Sequence, residues 1–192
     1  MGGSAVLLIV LAVLAVLLVV VVVWAIATYN RLVRLRNQVQ GAWAQIDVQL
    51  KRRHSLIPNL VETVKGYAAH ERGTFEAVVQ ARNAAVAVQG QGPSQQAPAE
   101  GMLTQALGRL FALAEAYPQL KANENFAALQ SELRDTEDRI AYSRQFYNSA
   151  VQTLNQSIQS IPTNFIAGMG GFRPETYFQA VGDERQDVQV RF

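Results

Sequence analysis

Two histidines and 15 acidic residues are the chain's main stock of metal-ligating side chains, because cysteine is absent. A helical bundle can hold two irons when Glu-x-x-His pairs project from facing helices. Neither histidine fits: Lys51 stands three residues before His54, and Tyr67 three before His70. His70 and Glu71 are adjacent, so their side chains diverge on a helix. Gly168-Met169-Gly170-Gly171 lacks the Lys-Ser/Thr and the preceding strand of a phosphate loop. No spacing pairs a nucleophile with a base. The expectation is a protein without catalytic residues, metal or cofactor, and not an enzyme. Lack of cysteine also excludes disulfides and thiol chemistry. Away from one local cluster there is no Lys/Arg stripe with interleaved aromatics, so no nucleic-acid partner is expected.

The polar residues that stand out are Glu137 and Arg144, one heptad apart on the flank of an apolar seam, with Glu62 and Lys65 expected to face them. Flanking positions of this kind form interhelical ion pairs that set register. The sharper reading is a contact with a charged ligand or partner. Pro58 sits inside an apolar pattern that keeps its phase across it. The ordinary reading is a tolerated kink whose freed carbonyl is capped by a side chain; the sharper one is a hinge. From Gln145 to Phe172 there is no charged residue, while Tyr147, Phe165, Met169 and Phe172 supply bulk. Charge depletion with aromatic and Met content marks a covered interface core. These four residues are the expected protein interface.

The elements that position these residues begin with an anchor. Residues 5–27, from Ala5 to Ala27, form an unbroken apolar run, long enough to cross a bilayer as a helix. A cleaved signal is the alternative reading, but no Lys or Arg precedes the run and it exceeds a signal core in length. Trp24 and Tyr29 stand at its exit, where amphipathic rings favour the headgroup level. Arg31, Arg34 and Arg36 follow, with affinity for anionic lipid, and the N-terminal side has no positive charge. The bias predicts a single-pass membrane protein with the bulk of the chain in the cytoplasm. The expected division is a short outer N-terminus at 1–4, the span at 5–28, a bundle at 29–166 and an irregular tail at 167–192. In that tail Val188, Val190 and Phe192 alternate as a docking strip.

Beyond the anchor the pattern is helical. Phe126, Leu133, Ile140, Tyr147, Leu154 and Ile161 recur every seven residues, with Leu129, Thr136, Ser143, Ala150 and Ser157 at the second, smaller position. Asn123 is the expected N-cap and Pro162 the stop. Trp43, Leu50, Ile57, Val64 and Val78 keep a similar phase, and Gly73-Thr74 is the expected break. Residues 89–98 read as a loop. At 1.5 Å per residue, residues 30–72 and 124–161 make rods of about 64 and 57 Å. The fold class is therefore all-α: an amino-terminal transmembrane helix, then a long antiparallel bundle of three rods with the middle one interrupted, three to four helices in all. An up-down-up path puts the neutral Gln145–Phe172 surface far from the membrane.

Several strings are distinctive together. They include Tyr29-Asn30-Arg31-Leu32-Val33, Ala42-Trp43-Ala44-Gln45-Ile46-Asp47, Leu56-Ile57-Pro58-Asn59-Leu60-Val61, Tyr117-Pro118-Gln119-Leu120-Lys121-Ala122-Asn123 and Ile161-Pro162-Thr163-Asn164. In this order they closely resemble the LemA family of bacterial membrane proteins, over nearly the whole chain to Tyr177-Phe178. Ser55 departs from the acidic residue expected before Leu56. The resemblance implies one amino-terminal anchor, in the bacterial inner membrane, and an all-helical domain, and it implies no reaction. The functional expectation is a membrane-anchored scaffold that associates with itself or another membrane protein. The alternatives are a signalling adaptor or ligand sensor, with a small-molecule ligand the weaker expectation, and membrane remodelling by ordered assembly.

Overall fold

The computed structural model describes residues 2–178, and the strip Val188, Val190 and Phe192 lies outside the described residues. The described elements are all helical: α1 Gly3–Lys65, α2 Arg72–Ala87, α3 Pro93–Glu115, α4 Pro118–Lys121, α5 Glu124–Gln159 and α6 Thr163–Met169. They divide into two compact units. One runs to Gln40 and takes in Ala150–Glu175; the other is built on Gly41–Ser149 and continues from Thr176.

In the second unit, the core joins Ile57, Leu60, Val61 and Val64 of α1 to Phe75 and Val78 of α2. Leu103, Leu107 and Leu110 of α3, Leu120 of α4, and Phe126 and Leu133 of α5 complete it. Each buried Leu or Ile contributes about 1.5–3 kcal/mol of transfer free energy, far more than any exposed ion pair. The apolar stripes therefore decide which face of each helix turns inward.

Two local expectations are corrected here. The break at Gly73-Thr74 falls earlier, at residues 66–71, and both residues lie in the first turn of α2. Ala68 is drawn into the core, and the Tyr67 hydroxyl accepts a hydrogen bond from Asn123 Nδ2 at 2.9 Å. Burial of that segment outweighs the capping preference of Thr74. The loop expected over residues 89–98 shrinks to residues 88–92, because α3 starts at Pro93. Gly90 and Gly92, at φ 79° and 91°, make the left-handed turn. Pro93 occupies the first helical turn, where a missing N–H costs nothing. Pro98 follows within α3 at the cost of one backbone bond.

Helix α5 carries the heptad. Phe126, Leu133, Ile140, Tyr147 and Leu154 are all buried, and Thr136 and Ser143 are buried beside them. Its N-cap is Asn123, whose Oδ1 accepts the Phe126 N–H at 2.9 Å. Ile161, beyond the end of α5, is instead 81% exposed.

In the first unit, every Val, Leu and Ile from Val6 to Val23 is about half exposed or more. Past the apolar run, Thr28, Leu32 and Val39 of α1 are buried, as are Val151, Leu154 and Ile158 of α5, Ala167 and Phe172. The Phe172 ring packs edge-on against Tyr29 with centroids 5.5 Å apart, and the Arg36 guanidinium lies over it at 5.1 Å. The end of the neutral stretch therefore sits beside the exit of the apolar run, not far from it. The reason is packing within this unit, where Val151, Leu154 and Ile158 of α5 are buried along with Thr28, Leu32 and Val39 of α1.

Candidate functional site

The main polar site of the second unit is built on the buried stripe of α1. Leu50, Ile57, Leu60, Val61 and Val64 line that stripe, and Arg53 and His54 fall on it between Leu50 and Ile57. Both are buried. On α3, Glu100 extends the stripe of Leu103, Leu107 and Leu110 and is buried with it. Arg53 Nη1 lies 3.1 Å from Glu100 Oε2, and Arg53 Nη2 donates to Thr104 Oγ1 at 2.7 Å. His54 Nε2 lies 2.7 Å from Glu100 Oε1. The Thr104 hydroxyl donates in turn to the Glu100 carbonyl at 3.0 Å. On α5, the half-buried Glu137 brings Oε1 within 2.9 Å of Arg53 Nε.

One guanidinium thus holds carboxylates from α3 and α5. A charge taken from water costs several kcal/mol unless it is paired and hydrogen-bonded; Arg53 is paired with both carboxylates, with Nη1 and Nη2 hydrogen-bonded and Nε in ion-pair contact alone. Burial pushes the Glu137 carboxyl above its ordinary pKa. Arg53 opposes that shift, Glu100 adds to it, Arg144 opposes it and Asp138 adds a little. A cavity of about 420 Å³ opens beside the cluster, lined by Arg53, Thr104, Phe111, Arg134, Glu137 and Asp138. Among the described residues, His54 Nδ1 and Gln96 Nε2 are buried polar atoms without a hydrogen-bond partner. No group of three metal-ligating side chains is placed to hold an ion among the described residues. The arrangement can fix helix register and can meet a charged group at the cavity mouth.

The residues singled out from sequence are placed as follows. Glu137 is in this cluster, but its cation is Arg53. Glu62 and Lys65 do not face it: they pair with each other at 3.1 Å on the exposed side of α1. The inward stripe of α1 leaves no room for Glu62 on the buried face. Arg144 lies over the Phe178 ring at 5.0 Å. Helix α1 runs through Pro58 without a break. Proline cannot donate to the carbonyl of His54, and Arg82 Nε donates to that oxygen instead, at 3.4 Å.

Tyr147 and Phe172, expected at a protein interface, are buried inside the chain, while Phe165 and Met169 are 67% and 87% exposed. In the second unit the Tyr147 ring meets Trp43 at 5.3 Å, and its hydroxyl donates to the Thr176 carbonyl at 2.8 Å. The Asn148 amide receives the Phe178 N–H at 2.9 Å and donates to the Phe178 carbonyl at 3.1 Å. In the first unit, Asn155 makes the same two-bond clamp on Glu175, at 2.8 and 2.9 Å. An amide carries the donor and the acceptor that an extended backbone requires, and a charged group cannot supply both. Part of the charge-free composition is therefore spent inside the chain. Trp24, Tyr29, Arg31 and Arg34 are exposed, Arg36 is half-buried, and Ala5 and Ala27 fall within α1.

Arg53, His54 and Glu100 were missed by motif reasoning. Their signal was positional: ionisable residues on the apolar stripes of two helices.

The sequence profile of the LemA family matches residues 42–192. Magnetosome protein MamQ 2 of Paramagnetospirillum magneticum is 30% identical over 175 residues, covering 79% of this chain and 64% of that protein. Magnetosome protein MamQ of Magnetospirillum gryphiswaldense is 28% identical over 174 residues, covering 78% and 64%. Protein LemA of Metamycoplasma hominis is 28% identical over 163 residues, covering 84% and 73%. The chain thus spans less than two thirds of the length of the magnetosome relatives. With its amino-terminal apolar helix, this kinship makes it a membrane-associated helical protein, and the chain belongs to the LemA family.

Proposed function

We propose that this protein is a single-pass membrane scaffold whose helical part binds copies of itself or another membrane protein. The observation that carries the reading is the continuity of α1, one helix from Gly3 to Lys65, whose first part is exposed and apolar and whose last part lines a core. The anchor and the folded part share one element, so a partner bound to the helical part is held at the bilayer. The charge bias of Arg31, Arg34 and Arg36 favours a cytoplasmic helical part at the inner membrane. Tyr147 and Phe172 serve internal packing, so the partner surface is sought elsewhere.

The test is the mass and composition of the complex extracted from native membranes in mild detergent. A species of several identical copies, or a stoichiometric second membrane protein, supports the scaffold. A lone protomer in its detergent micelle overturns it.

A second reading is favoured by the cavity beside Glu137. A charged ligand entering there would meet Arg53, Arg134, Glu137 and Asp138 in its lining. A thermal-shift screen of charged metabolites tests it. A response that Glu137→Gln abolishes without loss of helicity supports a sensor, and no response in the wild type rejects it.

A further inference from the structure

We propose that α6 lies in the membrane surface, with Ile161, Phe165 and Met169 set among the lipids next to the exit of the anchor; this rests on the reading of α1 as a membrane span. Exposure, composition, depth and charge carry it. The three side chains are 81%, 67% and 87% exposed. Phe165 and Met169 are four residues apart within α6 and so share one side of it, and Ile161 stands exposed just before the helix. Ala167 is buried, and Thr163, Asn164 and Ile166 are half-buried. The element thus turns Ala167 inward and leaves the bulky side chains of Phe165 and Met169 outward, where a water-facing helix would carry polar ones. No charged residue occurs between Gln145 and Phe172.

The third observation is depth. Gly170 immediately follows α6, and a Cβ there would lie 3.1 Å from Tyr29 Cε2. Tyr29 stands two residues beyond Ala27, or about 3 Å up the helix from the end of the apolar run. The interfacial layer on each side of a bilayer is about 5–8 Å deep. Met169 therefore stands at headgroup level when α1 spans. The fourth is charge. Arg31 and Arg34 are exposed on the same stretch of α1, and Arg36 lies over Phe172. Cations beside an exposed apolar face match the chemistry of an anionic lipid surface, with the apolar face about 5–10 Å into the headgroup boundary.

The chain has no cysteine, so single cysteines can be placed without other changes. The experiment uses the full-length protein in phosphatidylcholine–phosphatidylglycerol vesicles. A fluorophore is attached at Phe165→Cys, at Met169→Cys, at Val13→Cys within the span, and at Val79→Cys on α2. Quenching is read with doxyl-labelled lipid and with aqueous iodide. The expected result is several-fold quenching by the lipid probe at 13, 165 and 169, with little by iodide, and the opposite at 79. Iodide quenching at 165 and 169 beside a lipid-quenched position 13 overturns this inference alone. Shielding of 165 and 169 from both probes assigns the face to a second copy and also overturns it. Failure of lipid to quench position 13 overturns the spanning reading and this inference with it.

Discussion

Arg53 keeps only 2% of its surface exposed and is shared between Glu100 and Glu137. Arg53→Met would leave two carboxylates without their cation, one of them deeply buried. Breaking a buried pair from one side costs about 3–5 kcal/mol. Chemical denaturation in detergent, followed by helical circular dichroism, should show a loss of that size; a loss no larger than that from an exposed arginine such as Arg31 would refute the arrangement. Glu137 gives a pH signature. Its folded-state pKa is raised, chiefly by burial. Folded protein then holds a proton at a pH where the unfolded chain, at about 4.3 for Glu, has released it. That contribution to stability is full below the unfolded value and is lost as pH rises through the folded one. The stability difference between wild type and Glu137→Gln should therefore shift against the wild type as pH rises across this window, and a difference independent of pH would contradict the burial of Glu137. Sequence reasoning found Glu137 and missed the cluster around it, because its members come from three helices, with Arg53 and Glu100 47 positions apart. Nothing in local spacing says which stripes will meet.

At the scale of the element, what was legible is what is local. The Asn123 cap is decided within one turn, and Asn123→Ala should cost about 1 kcal/mol, a shift measurable in a urea titration. The heptad from Phe126 to Leu154 is periodic, and its burial follows from helix geometry alone. The turn at residues 66–71 was misplaced because Ala68 and Tyr67 are held by α5-side partners and core contacts that no local rule contains. Pro58 lies between these cases: the freed carbonyl follows from proline chemistry, whereas Arg82 as its cap comes from α2. Pro58→Ala restores the N–H that Arg82 replaces. The expected result is unchanged or higher stability with unchanged helicity, since an alanine at a helix interior removes an about 3 kcal/mol propensity penalty. A functional hinge would instead show altered signalling or assembly in the same variant, with the stability result as the control.

For the whole molecule, the deciding question is which face of the membrane the helical part occupies, because that determines which partners can reach it. Residues 1–4, before the apolar run, include no charged side chain, and the exit side carries Arg31, Arg34 and Arg36, then Lys51, Arg52 and Arg53. Arg53 is buried in its ion cluster and Lys51 pairs with Asp47 at 2.8 Å. During insertion, before the fold forms, all six are free to oppose translocation, and those within about 15–20 residues of the span count most. The three arginines nearest the exit should therefore dominate. A cysteine at exposed Val79 should react with a membrane-impermeant maleimide in inverted inner-membrane vesicles and stay unlabelled in intact spheroplasts. Replacing Arg31, Arg34 and Arg36 with Gln, while adding two lysines after Met1, should move part of the population to the opposite labelling pattern. Labelling of the unaltered chain from the outer face would place the helical part outside the cytoplasm. The scaffold reading would survive that result, with its partners drawn from the other compartment.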